Sequence, residues 1–279
     1  MSWAVPAAAY GLAALAVVGL AYAPTLARLA AVWWSVPYYS YGFFVPAFSA
    51  FLIWDARRRL ATLPTRPWWA GTALAAAGLA ILAAGFALDS PTLQGLSLPV
   101  VLAGLVGAAF GRPILRAVAF PLAFLGFMAP LPESVTAALS LPLQHLAAAT
   151  AAWVLAATGI PVVREGLLVH LPAVTLEVDQ TCNGLRFLLA MLVIGTALAG
   201  ARLRRPLERA AMVGTALGLA VLANLVRVSG TGLIAHHLGP QAAVGLAHVA
   251  FGKVVYAVML IPLGLLALVL RRRAIAAAP

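Results

Sequence analysis

The arginines of this chain are bunched, and the sequence between the bunches is apolar in runs long enough to cross a bilayer. Arg57, Arg58, Arg59 and Arg66 follow one run, and Arg112 and Arg116 sit in a second gap. Arg202, Arg204, Arg205 and Arg209 fill a third gap, and Arg271, Arg272 and Arg273 follow the last run. Only 9% of the residues are charged and 64% are hydrophobic, whereas a soluble domain carries roughly 25% charged residues. The chain therefore reads as a polytopic membrane protein rather than a globular domain with an anchor. A net charge of +11 would suit a nucleic-acid partner if it lined a surface. With 13 of the 18 basic residues in short linkers and the tail, it is the pattern by which cytoplasmic loops orient membrane helices. The expected partner is the lipid bilayer, with no nucleic acid.

A span needs about 20 mainly apolar residues. Candidates cover roughly 4–24, 42–56, 68–88, 95–111, 114–131, 183–200, 210–229 and 252–270. The first lacks a basic flank, so it is expected to be a retained span rather than a cleaved leader. The second is short and is expected to begin within Trp33-Trp34-Ser35-Val36-Pro37-Tyr38-Tyr39-Ser40-Tyr41, an aromatic cluster suited to the headgroup level. With the basic clusters inside, the first five spans alternate and end outside near Pro130 to Glu133. Segment 183–200 must then run inward to Arg202. Residues 135–159 are apolar enough to span, but a span there would break this alternation. They are expected to lie in the outer interface or to re-enter. Val162 to Leu171 is β-rich around Glu165-Gly166, and Val174 to Val178 continues it past Pro172, which predicts a short hairpin. Open strand edges are not tolerated in lipid, so the hairpin belongs outside. The expected fold is an all-α polytopic membrane protein with about eight transmembrane helices, one interfacial or re-entrant helix and a short extracytoplasmic β-hairpin, in a single domain over 1–279.

The one cysteine, Cys182, lies in the most polar stretch of the chain, Glu177 to Arg186. A lone thiol makes no internal disulfide. Asp179 or Thr181 can cap the helix that Phe187 continues, which would put Cys182 in the first turn, where unpaired N–H groups favour a thiolate. Asn183 and Gly184 permit a tight entry turn. Arg186 would share a face with Cys182 and either lower its pKa or pair with Glu177 or Asp179. Asn224 and Arg227 share a face of a later helix. An arginine there either snorkels to the outer headgroups or serves a site, where it would hold an oxyanion oriented by Asn224. Of the five histidines, His248 opens the last span at the same outer face and suits proton transfer to and from a thiol. His236 and His237 are rivals in the same loop. No ligand spacing points to a metal, and no cofactor is expected.

These motifs in this order resemble the exosortase/archaeosortase family of integral-membrane cysteine transpeptidases. The resemblance is carried by Glu177 to Arg186, by Asn224-Leu225-Val226-Arg227 and by His248 before the final span. Weaker likenesses lie in Tyr38 to Phe43, in Leu141-Pro142-Leu143-Gln144 and in Gly159 to Leu171. Two positions depart from the family pattern: Asn183 stands where Ser or Thr is common after the cysteine, and Tyr41 stands where an early histidine is usual. The resemblance implies a multi-pass protein of the bacterial inner membrane whose site faces the extracytoplasmic side. Its partners would be membrane-anchored proteins with a C-terminal sorting signal of the PEP-CTERM kind. Cys182 would form a thioester, Arg227 would hold the oxyanion and His248 would move the protons, with Arg186, Asn224, Asn183 and Glu177 in support. One rival is a protease that uses water as acceptor. The other is a transporter or assembly scaffold of an envelope-polymer pathway, with Asn224 and Arg227 lining a solute path.

Overall fold

The computed structural model describes the backbone of residues 4–172, 174–179, 184–243 and 245–276. The chain falls into two compact units, Met1–Leu131 and Pro132–Pro279.

The first unit is helical throughout. Helix α1 (Ala4–Ser35) leads through a 3₁₀ stretch (Pro37–Phe43) into α2 (Phe44–Asp55) and a short α3 (Arg57–Ala61). An antiparallel pair follows, α4 (Ala70–Ala87) and α5 (Pro91–Phe110), then α6 (Arg112–Phe124) and a 3₁₀ turn (Leu125–Met128). Gly71, Gly78 and Gly85 recur every seven residues along α4 and lay a flat stripe against α5. A Cβ on Gly78 would stand 2.6 Å from the Val101 side chain and 2.7 Å from its backbone nitrogen. In lipid, where apolar surface alone gives helices no reason to associate, this close backbone approach supplies the packing. Ser90 caps α5 by accepting from the Leu93 N–H at 3.3 Å, with Pro91 in the first turn.

Inside this unit the Tyr22 and Ser97 hydroxyls meet at 2.9 Å, Ser97 donates to the Gln94 carbonyl at 2.6 Å, and Gln94 Nε2 donates to the Gly85 carbonyl at 3.1 Å. Thr25 Oγ1 and Ser49 Oγ are also buried, without a hydrogen-bond partner, and nothing in the structure accounts for them. The aromatic segment divides. Trp34 is exposed, as a headgroup belt requires, but Trp33 and Tyr39 are buried. Trp33 Nε1 donates to the Met128 carbonyl at 2.9 Å, and the Tyr39 hydroxyl accepts from the Leu131 N–H at 3.0 Å. Two of these aromatics therefore clasp the end of the unit instead of facing lipid.

The second unit opens with α7 (Glu133–Ala157), followed by strands β1 (Val163–Glu165), β2 (Leu168–His170) and β3 (Thr175–Glu177). The expected hairpin is thus the first part of a three-stranded antiparallel sheet in the order β1-β2-β3. Gly166, at φ +63°, makes the first turn. Helices α8 (Leu185–Arg202), α9 (Pro206–Leu238) and α10 (Gly245–Ala276) complete the unit, with a 3₁₀ turn (Pro240–Ala243) before α10. Met191, Ala199, Met212, Ala216, Ala220 and Leu263 form the core between α8, α9 and α10. Ala147, Ala151 and Leu155 of α7 form a second core with Val169, Val178 and Val228, which seats the sheet on the helices.

Among the described residues six helices are long and apolar enough to cross a membrane: α4, α5, α7, α8, α9 and α10. The expected count of about eight left out 135–159 and drew also on 4–24, which falls within α1, and on 42–56 and 114–131, where α2 has 12 residues and α6 has 13. The segment expected to lie in the interface or re-enter is one unbroken helix of 25 residues with spanning hydropathy. Its packing qualifies that length. Leu143 and Leu146 meet Ala220, Val221, Asn224 and Leu225 around a small crevice, and Leu155 reaches Gly232. Helix α7 therefore runs parallel to α9, and its packed half lies beyond the level at which α8 begins.

Candidate active site

The site is built where three helices of the second unit come level. Helix α8 starts at Leu185, and its N-cap is Gly184 in the left-handed conformation at φ +74°, with no side-chain capping bond. The N-cap of α8 is thus Gly184, where Asp179 or Thr181 was expected. Gly184 also brings the chain onto α9. A Cβ there would stand 2.6 Å from the Asn224 side-chain carbon, so only glycine permits both the turn and the contact. Cys182 and Asn183 themselves lie outside the described residues.

On α9, Asn224 is buried and Arg227 half-buried. Arg227 Nη2 donates to Asn224 Oδ1 at 3.3 Å, one helical turn back, as the three-residue spacing predicts. The guanidinium lies over the Phe187 ring of α8 at 5.2 Å from its centroid. Phe187 stacks on Tyr256 of α10, with centroids 5.1 Å apart and planes at 29°. Gly252 of α10 faces the Arg227 stem, and a Cβ there would stand 3.2 Å from Arg227 Cδ. Arg227 therefore runs into the seam between α8 and α10 and does not snorkel outward. A guanidinium over an aromatic face gains ~0.5–2 kcal/mol, more as water is removed.

Position 248 lies on α10 four residues before Gly252, which is one helical turn from the residue facing Arg227. The side chain of His248 lies outside the described residues. The backbone thus brings together the start of α8, Asn224 and Arg227 of α9, and the first turns of α10. Arg186, exposed at the start of α8, lies within electrostatic reach of Tyr256 of α10, and Glu177 is exposed on β3. His236 and His237 stack edge to face at 4.9 Å in the last turn of α9, nine and ten residues beyond Arg227 and so about 14 Å along the helix. Phe187, Gly252 and Tyr256 went unread in the sequence. The only local signal was spacing: Phe187 follows Gly184 by three residues and Tyr256 follows Gly252 by four.

The basic residues mark the opposite end of this bundle. Helix α8 runs 18 residues from Leu185 to Arg202, about 27 Å at 1.5 Å per residue. Helix α10 returns from Gly252 to Arg271 and Arg272 over a similar length.

A match to the transmembrane exosortase family extends over residues 33–265, most of the chain and all of α8 and α9. The chain belongs to the transmembrane exosortase family. No curated protein and no solved structure matches it at a significant level. This exosortase-family protein is therefore a multi-pass membrane protein with a transpeptidase-type role at the level of its family. Its Asn224–Arg227 pair, its Gly184 turn and its His248 position all fall within the matched residues.

Proposed function

We propose that this protein is a cysteine transpeptidase of the bacterial inner membrane that cleaves the C-terminal sorting signal of exported, membrane-anchored proteins and passes them to an acceptor. His248 takes the Cys182 thiol proton as the sulfur adds to the scissile carbonyl carbon. The carbonyl oxygen becomes an anion that Arg227 holds. Collapse of the tetrahedral intermediate breaks the C–N bond, the leaving amine takes the proton back from His248, and a thioester remains on Cys182. An acceptor nucleophile then adds to the thioester, gives up its proton to His248 and releases the sulfur.

The observation that carries this reading is Arg227. A guanidinium drawn into a helical seam, bonded to a buried asparagine at the level where α8 begins, is costly to place in a membrane bundle and marks a site. The positive-inside pattern supports an extracytoplasmic site, because Arg202 to Arg209 and Arg271 to Arg273 stand at the far ends of α8 and α10.

Intact-mass analysis of the purified protein with an exported substrate ending in an apolar helix and a basic tail tests the reaction. A thioester adduct on Cys182, lost in Cys182→Ala, is the expected result. A conjugated product terminus identifies transfer, and a free carboxylate identifies hydrolysis. The rival reading, a transporter or assembly scaffold without peptidase activity, predicts that Cys182→Ala keeps full function in cells.

A further inference from the structure

We propose that Phe187, with Gly252 beside the arginine stem, is the positioning element for the Arg227 guanidinium. This role rests on the reaction proposed above.

Arginine has a long, flexible side chain, and an oxyanion donor must stand still before charge develops if it is to stabilise that charge without reorganising. Three helices restrict Arg227. Its own helix supplies Asn224, which accepts from Nη2 at 3.3 Å. Helix α8 supplies the Phe187 ring, 5.2 Å beneath the guanidinium carbon. Helix α10 supplies Gly252, whose missing Cβ leaves room for the stem, with Cδ 3.2 Å from the place a methyl would occupy. Phe187 is in turn braced by Tyr256, which stacks on it at 5.1 Å and belongs to the turn after Gly252. The ring restrains the guanidinium from the α8 side and the glycine leaves the path for the stem.

Simple core packing makes a different prediction. A packing role for Phe187 would lower stability and act independently of Arg227. A positioning role acts through Arg227, so it disappears when Arg227 is gone.

The experiment measures the rate of thioester formation on Cys182, with saturation curves, in the full-length protein. Phe187→Leu should lower the maximal rate by roughly 10-fold to 100-fold with little change in the half-saturating substrate concentration, the scale expected when a reacting group is misplaced by about 1 Å. Phe187→Tyr and Phe187→Trp, which keep a ring under the guanidinium, should stay within about 3-fold of the parent if stacking is what positions it. Gly252→Ala, which adds only a methyl against the stem, should slow the reaction as Phe187→Leu does. In an Arg227→Ala background, Phe187→Leu should cost nothing further. A parental rate in Phe187→Leu, or the same loss with and without Arg227, overturns the proposal. If Phe187→Leu fails to fold, Gly252→Ala decides: a parental rate there also overturns it. Absence of any adduct in the parent protein removes the reaction itself, a failure distinct from adduct formation that is insensitive to residues 187 and 252.

Discussion

In the first unit a chain of neutral polar groups within the bundle answers member to member: Tyr22 with Ser97, Ser97 with the Gln94 carbonyl, and Gln94 with the Gly85 carbonyl. In the second unit the bundle holds a guanidinium, with an amide at one side, a ring beneath and a glycine along its stem. Both arrangements bring polar groups together away from water, but their costs differ. Hydroxyls and an amide pair at modest expense and serve as glue between helices. A charge among membrane helices costs several times more, and packing alone gives no reason to place it there. The first unit is built to hold helices together, and the second accepts an expensive group to hold it still.

The strongest way to break this contrast is Arg227→Ala. If the guanidinium serves the reaction, turnover should fall on the order of 100-fold or more while the thermal midpoint stays near the parental value. Near-normal turnover would make Arg227 structural, like the polar groups of the first unit. Next in size is Gly78→Ile, which should destabilise the α4–α5 pair by ~1–3 kcal/mol through overpacking against Val101. Its checks are unfolding in detergent or bilayers and the rate of adduct formation on the variant that remains folded. Gln94→Leu removes a buried donor to the Gly85 carbonyl and should cost ~1 kcal/mol, again in stability and not in rate. A Gln94 variant with parental stability but impaired chemistry would reverse the assignment of the two units.

The smallest effect is expected at the exposed Arg28–Asp89 pair, where Arg28 Nη1 donates to Asp89 Oδ1 at 2.6 Å. The hydrogen bond and charge of Arg28 hold the Asp89 carboxyl below the usual carboxylate range. Any stability it adds is therefore present above the unfolded carboxylate value and is lost as pH falls through the folded one. Solvent and salt screen an exposed pair. Asp89→Asn should barely move the midpoint at neutral pH, and the difference from the parent should vanish in acid. A large shift at neutral pH would show that this pair orders the α4–α5 turn.

Much of the helix content could be read directly. The apolar runs at 68–88, 95–111, 183–200, 210–229 and 252–270 became α4, α5, α8, α9 and α10, because long runs of apolar residues in a membrane protein must close their own hydrogen bonds as helices. The Glu165-Gly166 turn was legible from its glycine. Asn224 and Arg227 were legible as a pair from their spacing. The start of α8 was misjudged because Asp179 and Thr181 are good capping residues by type, and nothing local says that Gly184 takes a left-handed conformation against Asn224. The aromatic belt was half misjudged for a similar reason. Trp33 and Trp34 are identical in type, and only the Met128 carbonyl waiting beside one of them tells them apart.

Hydropathy accumulates along a chain, so the sequence by itself determined that this is a bundle of membrane helices, which ends of those helices carry the arginines, and which few polar residues are too costly to be incidental. The direction Arg227 takes was decided only by tertiary structure. Outward to the headgroups and inward to the seam are both open to a long side chain on α9. The choice falls inward because a ring on α8, 40 residues earlier, and a missing methyl on α10, 25 residues later, leave a slot that no single helix contains.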